Sequence, residues 1–321
     1  MKLPAEEARR LCENALTTSG LHTESAQIVA DVLIEAELRG RKGHGLIRLP
    51  ALAKHARKPC GEVTVIADGV NWVHLDAGGR IGYLAAHRAM TLAIAKARES
   101  GTGLAAVRNT THCGMLGYYV LMAANEGLIG FMTCNCSARV APYGGASPVF
   151  GTNPIAVAIP GPDEPILVDM ATSAATTGDL LVALRSGEPL DRGLAYDSDG
   201  NPTRDPEVAR AGALAAFGGH KGSALALVTQ IISGILTGAS PLPKPGRDYG
   251  YFVAAVDPGR FTEIDTFRRG VAEVLDAMKT ARPIAGEILF PGERSHQCRE
   301  RTLEAGIEIE GQLMAEIQAL L

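Results

Sequence analysis

RNTTHCGMLGYY, residues 108–119, connects a predicted strand to a predicted helix and is the stretch that decides the fold. The apolar residues 104–107 just before it indicate a buried strand, and residues 118–126 have the pattern of a helix. Between the two lie His112 and two glycines, and glycines at the carboxyl end of a strand let the backbone approach a ligand closely. We therefore predict a binding site at this strand end. A hydrogen-bonded structural role for His112 is the competing interpretation.

The composition is that of an ordinary globular protein, with 46% hydrophobic and 21% charged residues. A length of 321 residues predicts two or three subdomains. The net charge of -4 and the lack of a basic cluster argue against nucleic acid as a partner. No run of about 18 apolar residues predicts a membrane span, and the start MKLPAEEARR lacks the apolar core of a secretory signal. We therefore expect a cytoplasmic protein.

The six cysteines show no CxxC pairing and no histidine at zinc-finger spacing, so we expect reduced thiols. Cys134 and Cys136 alternate along a strand-like run and are interpreted as core residues, with a redox role as the alternative. Cys113 lies beside His112 and is the one candidate nucleophile, but no acyl-transfer context surrounds it.

Residues 4–39 have the pattern of two helices, the first closed by Gly20 and the second capped by Thr23. The next segment, RGRKGHGLIRLP, breaks the second helix with glycines. If residues 44–49 form a helical turn, His44 and Arg48 share one face of it. A basic, solvated loop followed by a helix start is the alternative interpretation.

The sequence GTGLAA, residues 101–106, formally matches the G-x-G-x-x-A dinucleotide fingerprint. That fingerprint needs a strand before it and a helix after it, whereas here the helix comes first, so we reject a Rossmann site and interpret the glycines as a helix cap. The remaining pattern predicts strands at 63–66, 72–75, 128–136, 155–159, 166–170 and 251–256, helices at 80–100, 178–185, 224–236, 264–279 and 307–321, and a turn at 291–294.

Polar residues follow several of these elements. Thr152 lies in a glycine- and proline-rich run, Asp169 ends a strand, and His220 and Lys221 precede an apolar helix, where backbone amides favour an anion. Close packing of small residues is the alternative for the last group. An arginine binds a carboxylate bidentately and a histidine near neutrality donates a proton. Together these groups are suited to hydride transfer to a 2-oxo or 2-imino acid.

The chain resembles the malate/L-lactate dehydrogenase type 2 family. The matching blocks occur in family order over nearly the whole chain and are GHGLIRLP, RNTTHCGMLGYY, APYGG, FGTNPIAVAIP, DMATS, GGHKGS with LTGA, and PGERS. That family includes sulfolactate, ureidoglycolate and diketogulonate dehydrogenases. The GGHKGS and GDLLVALRSG blocks are most similar to its Δ1-piperideine-2-carboxylate/Δ1-pyrroline-2-carboxylate reductase branch.

The resemblance implies an α/β fold with a non-Rossmann, mixed-sheet NAD(P)-binding domain at 61–279. It also implies a helical domain built from residues 1–60 and 280–321. The expected cofactor is NADPH, with NADH possible, and the expected substrate is a small-molecule carboxylate. The family further implies a homodimer whose active site lies near the subunit interface.

Site residues carried over from the matching motifs fall into two groups. His44 is expected to donate the proton with support from Asp179, while Arg48 binds the substrate carboxylate and Thr152 touches the substrate. The cofactor is expected to contact His112, Cys113, Gly114, Met115, Leu116, Asp169, Met170, Ala171, His220, Lys221, Arg294 and Arg299. No metal site is predicted.

One position departs from the family pattern, which reads Ser-His-Gly where this chain has Gly43-His44-Gly45. The hydroxyl group that would orient the imidazole is missing. This motivates a second hypothesis, a member that has lost catalysis and binds a dinucleotide or other ligand. A third hypothesis, a metal-dependent hydrolase using His44, His112 and His220, lacks a ligand-spacing motif.

Overall fold

The computed structural model describes residues 1–58 and 60–321, and its largest element is a seven-stranded mixed sheet. The strands are β1 (Lys2–Leu3), β2 (Thr64–Asp68), β3 (Trp72–Asp76), β4 (Thr102–Thr110), β5 (Ile129–Cys134), β6 (Ile155–Ile159), β7 (Ile166–Met170), β8 (Ala195–Tyr196), β9 (Pro202–Thr203), β10 (Ala213–Leu214), β11 (Tyr249–Val256) and β12 (Ile307–Glu308).

The helices surround this sheet. They are α1 (Ala5–Thr18), α2 (Thr23–Leu38), α3 (Leu49–Ala56), α4 (Gly82–Ser100), α5 (Leu116–Asn125), α6 (Thr177–Ser186), α7 (Pro206–Ala211), α8 (His220–Gln230), α9 (Ile264–Thr280), α10 (Glu293–Ala305) and α11 (Gly311–Gln318). A π-helical turn, Ile231–Ile235, extends α8.

The large sheet has the order β2-β3-β4-β11-β5-β6-β7. Only β3 and β4 run parallel, while every other neighbouring pair among these described strands is antiparallel. A parallel pair needs a crossover connection, and α4 provides it. Helix α4 ends at Gly101, which has φ +87° and is followed at once by β4. This confirms the helix cap predicted for the GTGLAA segment.

Helices cover both faces of the sheet. On one face Gly130 of β5 lies against the backbone of α5, and on the other the Thr133 hydroxyl is hydrogen-bonded to Ser233 of the π-helical turn at 2.6 Å. Neighbouring strand residues alternate between faces, which separates the two layers. Helices α1 and α2 form a further layer over α4 and α5, and the main hydrophobic core lies between these helices and the sheet.

The two ends of the chain meet beside this core. Strand β1 pairs antiparallel with β12, and α10 packs on α2. The division into domains at residues 60 and 280 stays a prediction. Within the residues that the structure describes, no helix has the length and apolarity needed to cross a membrane.

Some predicted elements are wrong in detail. Thr23 is the first residue of α2 rather than its cap, because His22 takes the extended capping conformation. The region after the predicted turn at 291–294 forms α10, which the sequence analysis missed because its 13 residues are mostly polar. The predicted closing helix at 307–321 is instead β12 followed by α11, since Ile307 and Glu308 pair with β1. Helix α8 begins at His220, four residues before its predicted start.

We predict that Gly103→Ala destabilises the protein. The added methyl group would overlap the carbonyl oxygen of Ala93 in α4, and overpacking of this kind costs about 1–3 kcal/mol. Gly270→Ala is the matched control, because the exposed α9 site has open space for a methyl group and alanine favours a helix by about 1 kcal/mol. In urea denaturation, the midpoint concentration should be lower than that of the wild type for Gly103→Ala and higher for Gly270→Ala. Equal midpoints would contradict close contact between α4 and β4.

Candidate active site

His112 lies in the loop between β4 and α5, where the sequence predicted a site. The N–H of Gly114 donates a hydrogen bond to Nδ1 of His112 at 3.1 Å. Gly114 has φ +79°, and a side chain there would clash with the ring of Tyr83. Since Nδ1 accepts this bond, the neutral ring carries its proton on Nε2. His112 therefore presents an N–H donor rather than an acceptor at Nε2.

The turn that carries His44 is fixed by a buried carboxyl group at the end of α2. Glu37, 8% exposed, accepts a hydrogen bond from the Leu46 N–H at 2.7 Å. Burial raises the pKa of Glu37 to about 7, against the opposing effects of the Leu46 hydrogen bond and the Lys42 charge. A side chain at Gly45 would overlap this carboxyl group. Packing therefore requires glycine at position 45, because a side chain there would leave no room for the Glu37 carboxyl group.

His44 and Arg48 reach the same cavity through two consecutive 3-10 turns, Lys42–His44 and Leu46–Arg48, rather than one α-helical turn. The rings of His44 and His112 are stacked, with centroids 5.8 Å apart and planes 17° apart. The Arg48 Nε donates to the Gly43 carbonyl oxygen at 2.7 Å. The guanidinium group is thereby held at the cavity that the two imidazoles line.

The electrostatic surroundings favour neutral imidazoles. Burial, followed by the positive charge of Arg48, lowers the pKa of His44 to about 4, while the Asp179 carboxylate acts in the opposite direction. Burial and the Arg48 charge also hold the pKa of His112 well below its usual value. Both rings are therefore neutral at pH 7 in the ligand-free protein.

Gly43, the position that departs from the family pattern, touches the start of α6. A Cβ atom at Gly43 would lie 2.9 Å from the Cα of Gly178, and one at Gly178 would lie 3.0 Å from the Cα of Gly43. The two glycine backbones are therefore in direct contact. A serine at 43 would require α6 to move away from the turn.

Asp179 follows Gly178 in the first turn of α6 and forms a capping box with Thr176. Its Oδ2 accepts from the Thr176 N–H and hydroxyl, each at 2.8 Å, and the Asp179 N–H donates to the same hydroxyl at 3.0 Å. The carboxylate also lines the cavity with His44. It acts on that ring through its charge, as the pKa shift shows.

The cavity that contains these groups has a volume of about 700 Å³. The structure brings to it most of the residues that the sequence nominated for catalysis, substrate and cofactor, namely His44, Arg48, His112, Gly114, Met115, Leu116, Thr152, Asp169, Met170, Ala171 and Asp179. Asp169 is anchored by accepting the Gly117 N–H at 2.7 Å, and burial raises its pKa.

A smaller cavity of about 300 Å³ adjoins the first. Arg294, a predicted cofactor residue, lines it. Arg41, Met115 and Asp169 line both cavities, so the two share a wall. Together the two cavities run from the two histidines to Arg294 and are lined by several arginine side chains.

Four nominated cofactor residues lie elsewhere. Cys113 is buried beneath the loop, with its carbonyl oxygen accepting from Tyr119 at 2.6 Å. His220 and Lys221 are exposed at the start of α8. Arg299 pairs with Glu35 at 3.1 Å and lines a separate cavity. In the described parts of the chain none of the four lines the space that holds His44 and Arg294.

Other lining residues were missed by the sequence analysis. They include Arg41, Ser137, Arg139, Gly246 and Tyr249. Tyr249 begins β11, and its hydroxyl is hydrogen-bonded to Ser137 at 3.0 Å. Arg41 carried a signal, since it stands three residues before His44 in the same basic segment. No feature of the local sequence indicated Tyr249, because a tyrosine at a strand end after a proline-rich loop is common.

The described residues include no cluster of three histidine, cysteine or acidic side chains placed to hold a metal ion. All six cysteines are free thiols. His220 does not line the cavity of His44 and His112, so the three histidines named in the hydrolase hypothesis do not share one site.

Comparison with known proteins places the chain in a family. Residues 3–318 match the family described as malate/L-lactate dehydrogenase. The chain is 36% identical to the L-sulfolactate dehydrogenase of Methanothermobacter thermautotrophicus, over 99% of this chain and 95% of the relative. It is 35% identical to the Delta(1)-pyrroline-2-carboxylate reductase of Ancylobacter novellus, over 100% of this chain and 97% of the relative.

The fold agrees with this relationship. The structure of sulfolactate dehydrogenase from Methanocaldococcus jannaschii matches with a TM-score of 0.90 and 34% identity, covering 100% of this chain and 96% of that one. Sequence and fold are thus shared over the full length, as the order of the motifs predicted. The chain belongs to the malate/L-lactate dehydrogenase family.

Proposed function

We propose that this protein is an NAD(P)H-dependent oxidoreductase that reduces a small 2-oxo acid or a cyclic 2-imino acid, or catalyses the reverse oxidation. The observation that carries this proposal is the meeting of His44, Arg48 and His112 in one cavity of about 700 Å³. A proton donor, a carboxylate clamp and a fixed N–H donor are what reduction of a carbonyl or imine next to a carboxylate requires. The cofactor supplies the hydride.

Arg48 is proposed to bind the substrate carboxylate. One of its N–H groups is used by the Gly43 carbonyl, and the rest of the guanidinium fork is available at the cavity. No carboxylate of the described residues lies within 4 Å of it. A planar guanidinium group matches a carboxylate bidentately, so it sets the orientation of the neighbouring carbonyl or imine carbon.

His44 is proposed to exchange a proton with the substrate oxygen or nitrogen. Its pKa of about 4 makes it a proton acceptor at neutral pH, which suits oxidation. Reduction requires the protonated ring. A substrate carboxylate on Arg48 offsets the charge that lowers the pKa of His44, so binding of the substrate raises that pKa toward neutrality. The substrate thus prepares its own proton donor.

His112 is proposed to orient the reacting group. Its Nδ1 is occupied by the Gly114 N–H, so Nε2 donates a hydrogen bond without changing protonation state. The low pKa of His112 keeps it neutral while His44 titrates. Thr152, which lines the same cavity, is proposed to touch the substrate.

The residues present fit a dinucleotide. Cavities of roughly 300–1,000 Å³ hold small-molecule ligands, and the two adjoining cavities here share the wall formed by Arg41, Met115 and Asp169. Gly114 keeps the backbone free of a side chain between the histidine loop and Tyr83. The site proposed for the cofactor follows 112–116, Asp169 and Arg294. It is assembled on a mixed sheet and uses no G-x-G-x-x-G turn.

A catalytically impaired family member was the alternative suggested by Gly43. The contact between Gly43 and Gly178 offers a reason for the missing side chain that does not involve loss of catalysis. The family resemblance also suggests a homodimer, which sedimentation would test.

The proposal is tested first with the unmodified protein. We expect calorimetry to detect binding of NADPH or NADH, and that dinucleotide to be oxidised with at least one of pyruvate, oxaloacetate, Δ1-piperideine-2-carboxylate and Δ1-pyrroline-2-carboxylate. A preference for pyruvate or oxaloacetate would indicate reduction of a carbonyl to an alcohol, and a preference for a cyclic imine would indicate reduction to an amine. Cofactor binding without turnover of any carboxylate would favour the binding-protein alternative, and no binding would remove the proposal.

We predict that His44→Gln lowers kcat by about 10²- to 10⁴-fold, the usual contribution of a general acid or base. The dissociation constant of the dinucleotide should stay unchanged, since the proton donor is not needed for its binding. His87→Gln is the control, because His87 is a half-buried histidine on α4 outside the cavity. A variant with unchanged kcat would exclude His44 as the proton donor.

We predict that Arg48→Gln raises KM for the carboxylate substrate by about 30-fold or more, since loss of a desolvated charge partner costs about 2–5 kcal/mol. The pKa of His44, followed by nuclear magnetic resonance of its ring protons, should rise because the cation is gone. Arg48→Lys keeps the charge without the planar fork, so KM should rise while the pKa of His44 stays low.

The exposed Arg57→Gln is the matched control and should change neither quantity. If Arg48→Gln leaves KM as in the wild type, the carboxylate binds elsewhere.

A further inference from the structure

Arg41 lies where the two cavities meet. Its side chain lines the larger cavity with His44 and the smaller one with Arg294. Its charge lowers the pKa of both His44 and Asp169, which places the guanidinium group within reach of both walls. The proposed reaction assigns no role to Arg41.

The arginines around the smaller cavity differ in their partners. Arg39 is committed to the protein, because its Nε pairs with Glu35 at 2.6 Å and its Nη1 lies 3.2 Å from the ring of His296. Over residues 1–58 and 60–321, neither Arg41 nor Arg294 lies within 4 Å of a carboxylate. Two exposed guanidinium groups therefore face a common space, and neither is engaged in an ion pair with a described residue. An anionic ligand with several oxygen atoms would satisfy both.

The acidic group on this wall, Asp169, acts on Arg41 through its charge but forms no ion pair with it within 4 Å. The Oδ2 of Asp169 accepts the Gly117 N–H at 2.7 Å, which keeps the carboxylate at the start of α5. Arg294 lies in the first turn of the 13-residue α10, where the helix dipole also favours an anion. The positive charges of Arg41 and Arg294 and the dipole of α10 all favour an anion in this cavity.

The backbone of Arg41 is rigid although its side chain is exposed. Its N–H donates to the Ala36 carbonyl oxygen at 2.7 Å, and its own carbonyl oxygen accepts from the His44 N–H at 2.8 Å. A ligand bound to Arg41 would therefore also restrain the 3-10 turn that carries His44, because the Arg41 carbonyl oxygen accepts the first hydrogen bond of that turn.

We propose that Arg41 and Arg294 together bind a phosphate group of the dinucleotide cofactor at the junction of the two cavities. The inference rests on the proposed function. The phosphate is either part of the pyrophosphate, which NADH and NADPH share, or the 2′-phosphate, which only NADPH carries. In both cases the larger cavity, which His112 lines, would remain for the nicotinamide end.

The test measures dissociation constants of NADPH and NADH by calorimetry for the wild type, Arg41→Gln and Arg41→Lys. We expect Arg41→Gln to weaken binding by about 10- to 100-fold, the effect of losing a charge-assisted hydrogen bond. Arg41→Lys should lose less, because it keeps the charge. An equal loss for both dinucleotides assigns the pyrophosphate, and a loss confined to NADPH assigns the 2′-phosphate.

Lys42→Gln is the matched control. It removes the same charge one residue later, but Lys42 lines a different cavity with Glu37 and Cys298, so its dissociation constants should equal those of the wild type. Thermal melting of each variant verifies folding. If Arg41→Gln fails to fold, the Arg41→Lys and Arg294→Gln variants provide the measurement.

Three results would overturn the inference. Wild-type affinity in Arg41→Gln for both dinucleotides excludes a phosphate contact. An unchanged cofactor affinity with a raised KM for a substrate assigns Arg41 to a second anionic group of that substrate. An equal loss in Lys42→Gln shows a general charge effect. Failure of the wild type to bind either dinucleotide is a different outcome, because it removes the proposed function itself.

Discussion

The backbone contact between Gly43 and Gly178 is the constraint on which the geometry of the site depends. It joins two segments 135 positions apart in the chain, the turn after α2 and the first turn of α6. Because neither position has a side chain, the backbones of the turn and the helix come into van der Waals contact. Asp179 is then close enough for its charge to act on His44, although its Oδ2 is engaged in a capping box. Position 43, a serine in the family pattern that the motifs resemble, is a glycine here, and the missing side chain is what allows this close approach of the turn to α6.

The second determinant is the balance of charge around two stacked imidazoles. Burial and the guanidinium of Arg48 both disfavour protonation, and the carboxylate of Asp179 opposes them. The part of this shift that comes from Arg48 depends on the ligand, because an anion bound to the arginine would offset its charge, whereas burial would still lower the pKa of His44. A neutral resting histidine also avoids a buried charge between Arg48 and Arg41, which would be costly in a low dielectric. In the proposed reaction, a carboxylate bound at Arg48 would therefore act on the same imidazole that exchanges the proton.

Much of the site could be predicted from the sequence because its parts are local. The strand, loop and helix around His112 were evident from apolar periodicity and glycines, and the order of helix and strand correctly ruled out a Rossmann turn at Gly101. The motifs also identified the family. What could not be predicted depends on distance in space. The partner of Arg299 is Glu35, 264 residues earlier, and the polar helix α10 has a weak apolar pattern. Likewise, nothing in the local sequence shows that the glycine at position 43 lies against another glycine.

The position of β11 in the sheet has a consequence for how the chain folds. This central strand comes late in the sequence, at Tyr249–Val256, yet it fills the space between β4 and β5. Until it is inserted, those two strands expose adjacent unpaired edges, and unpaired edges promote association between chains. We expect folding to be slow, because pairing of such high sequence separation carries a large loop-closure cost. During synthesis on the ribosome, the two halves of the sheet can therefore be joined only after Val256 has emerged, and until then the edges of β4 and β5 stay open to pairing with other chains.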